Sequence, residues 1–278
     1  MAQFWQQVVS GLASGGIYAS LALALVIVYR SSGVINFAQG EMATFATFLA
    51  WTFLHHGISF WPAFALTLAV AFAGGVALER VVIRPVEGRP VLTVVILTIG
   101  LLILINGATQ WIWGGAVRKF PSPFSTRPIH VGSAAFSIQD IGIVGVCLVA
   151  VALLTLFFRF TKLGLGLRAA AVNPEESRLV GVRVGWMLAL GWGLSAALGA
   201  VSGMMVAPVV FLDPNMMQGI LLYAFAAAVL GGLESPVGAV VGGLALGVLL
   251  NLLGTYFSTF GGEMRPTGLF GRTAVRRV

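Results

Sequence analysis

The stretch V-L-T-V-V-I-L-T-I-G-L-L-I-L-I-N-G-A-T-Q-W-I-W, residues 91–113, carries no charged side chain and is long enough to cross a bilayer as one helix. A hydrocarbon core about 30 Å thick needs roughly 20 apolar residues at 1.5 Å each. The run shows no period-2 alternation and is far longer than a barrel strand, so a helix is the way its backbone groups find partners in lipid. The same pattern recurs outward in both directions, near Val8 to Tyr29, Phe37 to Leu54, Phe60 to Leu78, Ile138 to Phe158, Trp186 to Leu212, Met216 to Leu233 and Val237 to Phe257. The expected fold is all-α, a polytopic membrane bundle of about eight spans.

Composition agrees along the whole chain of 278 residues: 58% are hydrophobic, 9% are charged, and mean hydropathy is +0.98. An ordinary soluble domain carries about 25% charged residues. This excludes a secreted enzyme behind a leader peptide and a soluble domain on one anchor. The net charge of +7 therefore reads as an orientation signal in the bilayer rather than as a nucleic-acid footprint. The lone Cys147 leaves no disulfide framework and no cysteine metal site.

Arginine and lysine divide between alternate loops. Arg30, Arg80, Arg84, Arg89, Arg159, Lys162, Arg168, Arg178 and Arg183 fall in one set, Arg118, Lys119 and Arg127 in the other. The richer set is expected in the cytoplasm. The chain then starts on the outer side, and eight crossings return it there, yet its end holds Arg265, Arg272, Arg276 and Arg277. Either Met216 to Leu233 is re-entrant, or a span that should precede Met264 is missing. Pairs of small residues, among them Gly199 and Gly203 or Gly243 and Gly247, sit four apart within spans, the spacing that lets helix backbones approach closely.

Polar groups inside the apolar runs are few: Asn36, Gln39, Glu41, Asn106, Gln110 and Asn251. They are candidates for a translocation path, against the alternative that they bond helix to helix. One carboxylate within a span is too little for a proton or ion relay. The longest cytoplasmic loop, 159–185, contains L-G-L-G-L-R-A-A-A-V-N-P-E-E-S-R-L-V-G-V. Asn173 is a good N-cap, Pro174 fits the first helical position, Glu175 and Glu176 suit the first turn and a capping box, and Gly181 is a natural stop. A short helix outside the membrane is expected there, after the segment Ala169–Ala171. There is no phosphate loop, no H-E-x-x-H and no serine–histidine–carboxylate set at plausible depth, which argues against an enzyme.

The blocks G-V-I-N-F-A-Q-G-E at 33–41, L-E-R-V-V-I-R-P-V at 78–86, A-A-V-L-G-G at 227–232, G-A-V-V-G-G at 238–243 and R-P-T-G-L-F-G-R at 265–272, in this order and spacing, resemble a known family. The chain is similar to LivH-type permease subunits of branched-chain amino acid ABC importers. The resemblance implies one permease domain over 1–278 that binds no cofactor itself and partners a second, related permease. It also implies two cytoplasmic ATPases that use ATP, and an extracytoplasmic solute-binding protein. Its setting would be the bacterial inner membrane. It gives the segment containing Arg168, Ala169, Ala170, Ala171, Asn173, Pro174, Glu175, Glu176 and Gly181 the role of coupling to the ATPases. Two departures stand out: Gln39 where the family often has histidine, and only 261–264 where a last span normally precedes the R-P-T-G-L-F-G-R tail. The same architecture importing urea, amides or another amino acid, an ion-coupled carrier or channel, and a nonfunctional truncated remnant are the alternatives.

Overall fold

The computed structural model describes residues 2–125, 127–131 and 134–261. The C-terminal cations and the expected lost span near Glu263 lie outside them. The described residues form ten α-helices and one short hairpin. The helices are α1 (Ala2–Ser32), α2 (Gln39–His55), α3 (Phe60–Leu78), α4 (Val91–Trp113), α5 (Ile138–Phe160), α6 (Lys162–Val172), α7 (Pro174–Leu179), α8 (Val184–Val210), α9 (Met216–Gly231) and α10 (Pro236–Gly261). Between α4 and α5, β1 (Pro128–Val131) pairs antiparallel with β2 (Ala134–Ser137), opposing Ile129 to Phe136. The hydropathy pattern did not announce this hairpin, which lies among residues outside the apolar runs.

Among the described residues six stretches are long and apolar enough to cross a membrane: Gln3–Ser32, Phe60–Val86, Val91–Trp113, Ile138–Phe160, Val184–Val210 and Pro236–Tyr256. Exposed Ile103, Leu104 and Leu153 on their outward faces fit lipid or another apolar surface. The two remaining expected spans are shorter helices, α2 with 17 residues and α9 with 16. In each, irregular backbone replaces part of the helix. After Gly33, at φ +70°, the chain turns back so that Ile35 lies beside Thr98, two turns inside α4. Helix α2 starts only at Gln39. Phe211, at φ 67°, likewise turns the chain inward before α9. Such backbone is tolerated at membrane depth where protein surrounds it.

The segment before α9 pairs with the chain just beyond α4, through Arg118 and Leu212. Asn215, at the entry to α9, lies beside Asn106 of α4, and Glu234, just after α9, shares a cavity with Arg30 and Val91, at the start of α4. Helix α9 therefore runs alongside α4 in the opposite direction over part of its length.

Glycine decides the closest contacts. Helices α1 and α10 lie antiparallel with backbones almost touching. A Cβ on Gly11 would lie 2.7 Å from the Cα of Val248, and one on Gly247 would overlap the backbone of Gly15. Across α2 and α8, a Cβ on Gly203 would lie 2.8 Å from the carbonyl oxygen of Ala43. In lipid, where no hydrophobic drive joins apolar helices, such proximity supplies the van der Waals contact that holds them. Ser20 of α1 and Ser202 of α8 add a buried hydroxyl pair at 2.6 Å. The core thus forms around α1, α2 and α8, with Leu21, Phe48 and Met204 fully buried.

Candidate functional site

The irregular start of α2 builds two polar groups that face different surroundings. Asn36 closes a turn by accepting the amide of Ala38 at 3.0 Å and donates to Gln39 Oε1 at 3.1 Å. Gln39 Nε2 donates to the carbonyl of Ser195 at 3.0 Å, while Ser195 Oγ reaches Gln39 Oε1 at 2.9 Å and the carbonyl of Ala24 at 2.8 Å. Asn36, Gln39 and Ser195 are all fully buried. They tie α1, α2 and α8 together inside the subunit, the helix-to-helix bonding weighed against a path role.

One turn on, Glu41 belongs to a second group that reaches the surface. Asn106 of α4 donates through Nδ2 to Glu41 Oε2 at 3.1 Å, to the Pro214 carbonyl at 3.1 Å and to Asn215 Oδ1 at 3.0 Å. Gln110 donates to Asn106 Oδ1 at 2.5 Å, and Gln218 donates to Asn215 Oδ1 at 3.0 Å. Glu41 is 2% exposed, whereas Gln110, Asn215 and Gln218 are exposed. The structure therefore gathers Glu41, Asn106 and Gln110 on one polar strip spanning α2, α4 and the entry to α9. Asn251 is not brought to it: it lies on α10 beside Gly11 of α1. Sequence reading missed Asp213, Pro214, Asn215, Gln218 and Ser195. The D-P-N signal between two apolar runs reads as an outer loop, and only the inward turn at Phe211 places it at depth.

The opposite face carries a second cluster. Helix α3 continues through a π-helical turn, Glu79–Ile83, and a 3₁₀ turn, Arg84–Val86. Arg84 bonds Glu79 with both Nε at 3.3 Å and Nη2 at 2.9 Å, and its Nη2 also donates to the Gly185 carbonyl at 2.6 Å. Arg80 stacks on Trp186 at 3.7 Å. These contacts fasten the end of α3 to the start of α8. A cavity of about 720 Å³ opens beside them, lined by Arg30, Arg84, Arg89, Glu234, Trp192 and Pro174 among others. The basic residues expected on one side do share this end of the bundle.

The loop 159–185 contains two helices where one was expected, because Ala169–Ala171 form the last turn of α6. Ala170 and Leu167 are buried against Val184 and Met187, anchoring α6 on α8. Asn173 Oδ1 accepts the amide of Glu176 at 3.1 Å, Pro174 opens α7, and Gly181 at φ +85° follows its end. The expected capping box is not closed. The amide of Asn173 is already taken by the Ala169 carbonyl at 3.0 Å, since one helix runs directly into the next. Glu175 and Glu176 stay exposed, and so do Val172 (81%), Leu179 (86%) and Val180 (78%). Arg168 is partly buried, with Nε lacking a partner. The pair Arg178–Glu87, at 4.0 Å and exposed, contributes little.

The family model described as branched-chain amino acid transport system / permease component matches residues 7–270. This chain belongs to that permease family. The LivH permease protein of the high-affinity branched-chain amino acid transport system of Salmonella typhimurium is 31% identical over 304 residues, covering 99% of this chain and 98% of its own. BraD of Pseudomonas aeruginosa is 32% identical over 303 residues, with the same coverage. The probable LivH of Methanocaldococcus jannaschii is 30% identical over 252 residues, covering 87% of this chain and 78% of its own. No solved structure matches. The permease is a multi-pass membrane protein. In its α6–α7 excursion Thr161 caps α6 and Asn173 caps α7; Asn173→Ala should cost about 1 kcal/mol of local helix stability. Hydrogen exchange over residues 174–179 should accelerate by roughly fivefold while α8 is unchanged.

Proposed function

We propose that this permease forms half of a transmembrane pathway for branched-chain amino acids in an ATP-driven importer of the bacterial inner membrane. A second, related permease supplies the other half, two cytoplasmic ATPases bind and hydrolyse ATP, and an external binding protein delivers the solute. The permease itself supplies path and coupling, with no cofactor, no chemical catalysis and no contact with nucleic acid. The observation that carries this reading is the ordered pair α6–α7: a helical hairpin docked on α8 that presents uncovered Val172, Leu179 and Val180 at the bundle's basic end. Exposed apolar side chains on a capped helix are a docking surface for a protein partner. Arg168, Ala169, Ala170, Ala171, Asn173, Pro174, Glu175, Glu176 and Gly181 hold or flank that surface. The strip around Glu41, Asn106 and Gln110 is the lining contributed to the path.

The whole chain is one permease domain from which one span is missing. An alignment of 304 positions on a chain of 278 residues leaves at least 26 positions of the LivH relative without a counterpart, enough for one helix crossing. The match to residue 270 runs past Met264 into the R-P-T-G-L-F block, so both flanks of the proposed gap are family sequence. Helix α10 begins at the face of Arg30 and Arg168 and runs antiparallel to α1, so its described end lies toward the opposite face.

Uptake of labelled leucine in cells lacking this gene, with the gene restored, tests the reading. ATP-dependent uptake competed by valine is the expected result. Competition by urea and not valine would replace the substrate class, and restoration only after a span is inserted before Met264 would mark the shortened chain as inactive.

A further inference from the structure

The polar strip is unbalanced in a way that points to its ligand. Asn106 Nδ2 has two hydrogens but faces three acceptors: Glu41 Oε2, the Pro214 carbonyl and Asn215 Oδ1. Asn215 Oδ1 is approached by both Asn106 and Gln218, and the Asp213 carboxylate lies close enough to repel that of Glu41 while accepting the amide of Asn215 at 2.8 Å. Around Asn106 Nδ2, acceptors therefore outnumber the hydrogens it offers them. Among the described residues, ion pairs join only Arg84 to Glu79 and Arg178 to Glu87, so the Glu41 carboxylate, 2% exposed, has no cation beside it. Glu41 is the third residue of α2, where the helix dipole and the free first-turn amides favour a negative charge. The carboxylate is thus left without a counter-ion among the described residues.

We infer that Glu41, with Asn106, Asn215 and Asp213, forms the recognition site for the α-ammonium group of the transported amino acid. This rests on the permease reading above and adds which end of the solute this subunit takes. An ammonium brings three donors to acceptors that crowd Asn106, and one positive charge to a carboxylate with no cation beside it among the described residues. The exposed Gln110, Asn215 and Gln218 mark the side from which it enters. The assignment also separates amino acids from sugars and simple acids of similar size, since neither supplies the cation.

The test is equilibrium binding of tritiated leucine to the purified permease–ATPase assembly without the external binding protein, paired with leucine uptake by the same assembly in vesicles to which the binding protein is added. Leucinamide and isoamylamine, which keep the ammonium and lack the carboxylate, should displace leucine; 4-methylpentanoate should not. Glu41→Gln should weaken binding by roughly tenfold or more, the loss expected for one charged hydrogen bond. Glu41→Asp, which keeps the charge, should stay within about threefold, with equal membrane abundance of both variants establishing that each folds. Displacement by 4-methylpentanoate and not by the amines, or wild-type affinity in Glu41→Gln, would overturn the assignment. An unaltered assembly that transports leucine without binding it here would overturn the assignment and leave the permease reading standing; one that neither binds nor transports would overturn both.

Discussion

Gly247→Leu should remove the protein from the membrane. The position has no room for a Cβ, because the backbone of Gly15 and the carbonyl oxygen of Gly11 occupy the place where it would go. Neither obstacle is a side chain that could swing aside, so α10 must separate from α1. That separation forfeits the packing on which helix association in lipid depends. Overpacking of a well-filled core costs typically about 1–3 kcal/mol, and backbone-to-backbone overlap belongs at or above the top of that range. The expected outcome is a loss of most of the monodisperse protein recovered from membranes. Gly254→Leu is the matched control: it lies on the same helix, nothing stands within 4 Å of its Cβ, and recovery should be unchanged.

Arg84→Ala should be the most damaging change at the basic end. Glu79 is 2% exposed at its side chain and its partner Arg84 is 38% exposed, so truncation strands a buried carboxylate while opening a route for some water. Breaking a buried pair costs about 3–5 kcal/mol, and partial exposure of Arg84 lowers the expectation to about 2–3 kcal/mol. The same change removes the donor to the Gly185 carbonyl, uncoupling the π-helical end of α3 from the first turn of α8. A drop in Tm in detergent and faster proteolysis near residues 84–90 would register both effects. Arg84→Lys should recover less than half of the loss, because an ammonium cannot make the two parallel bonds to Glu79 and the third to Gly185 in one geometry.

Much of the bundle was legible in composition and run length, since an apolar stretch of the right length has one low-energy state in lipid. Asn173, Pro174 and Gly181 likewise announced α7, because capping chemistry is local. The starts of α2 and α9 were not legible: Gly33 and Phe211 turn the chain inward only where neighbouring helices shelter the exposed backbone. The polar residues illustrate the same limit. Asn36, Gln39 and Glu41 lie within six residues of one another, yet two end inside the subunit and one joins a surface strip. Their spacing around the irregular entry to α2, rather than their chemistry, separates them. Asn215 and Gln218 carried no signal of their own until Asn106, more than 100 residues earlier, met them.

What the amino-acid sequence determined by itself was that the chain must live in lipid as helices, which face carries the cations, where a capped helix leaves the bundle, and that the charge at its end conflicts with its number of crossings. Each follows from the solvent's demand on backbone and charge, which acts locally along the chain. The tertiary structure alone decided which glycines touch, that α9 starts beside the middle of α4, and that Glu41 meets carboxamides from α4 and the entry to α9 with no cation beside it among the described residues. Those depend on how helices distant in sequence are set against each other at a fraction of an ångström, where packing rather than hydropathy selects among arrangements of equal apolarity.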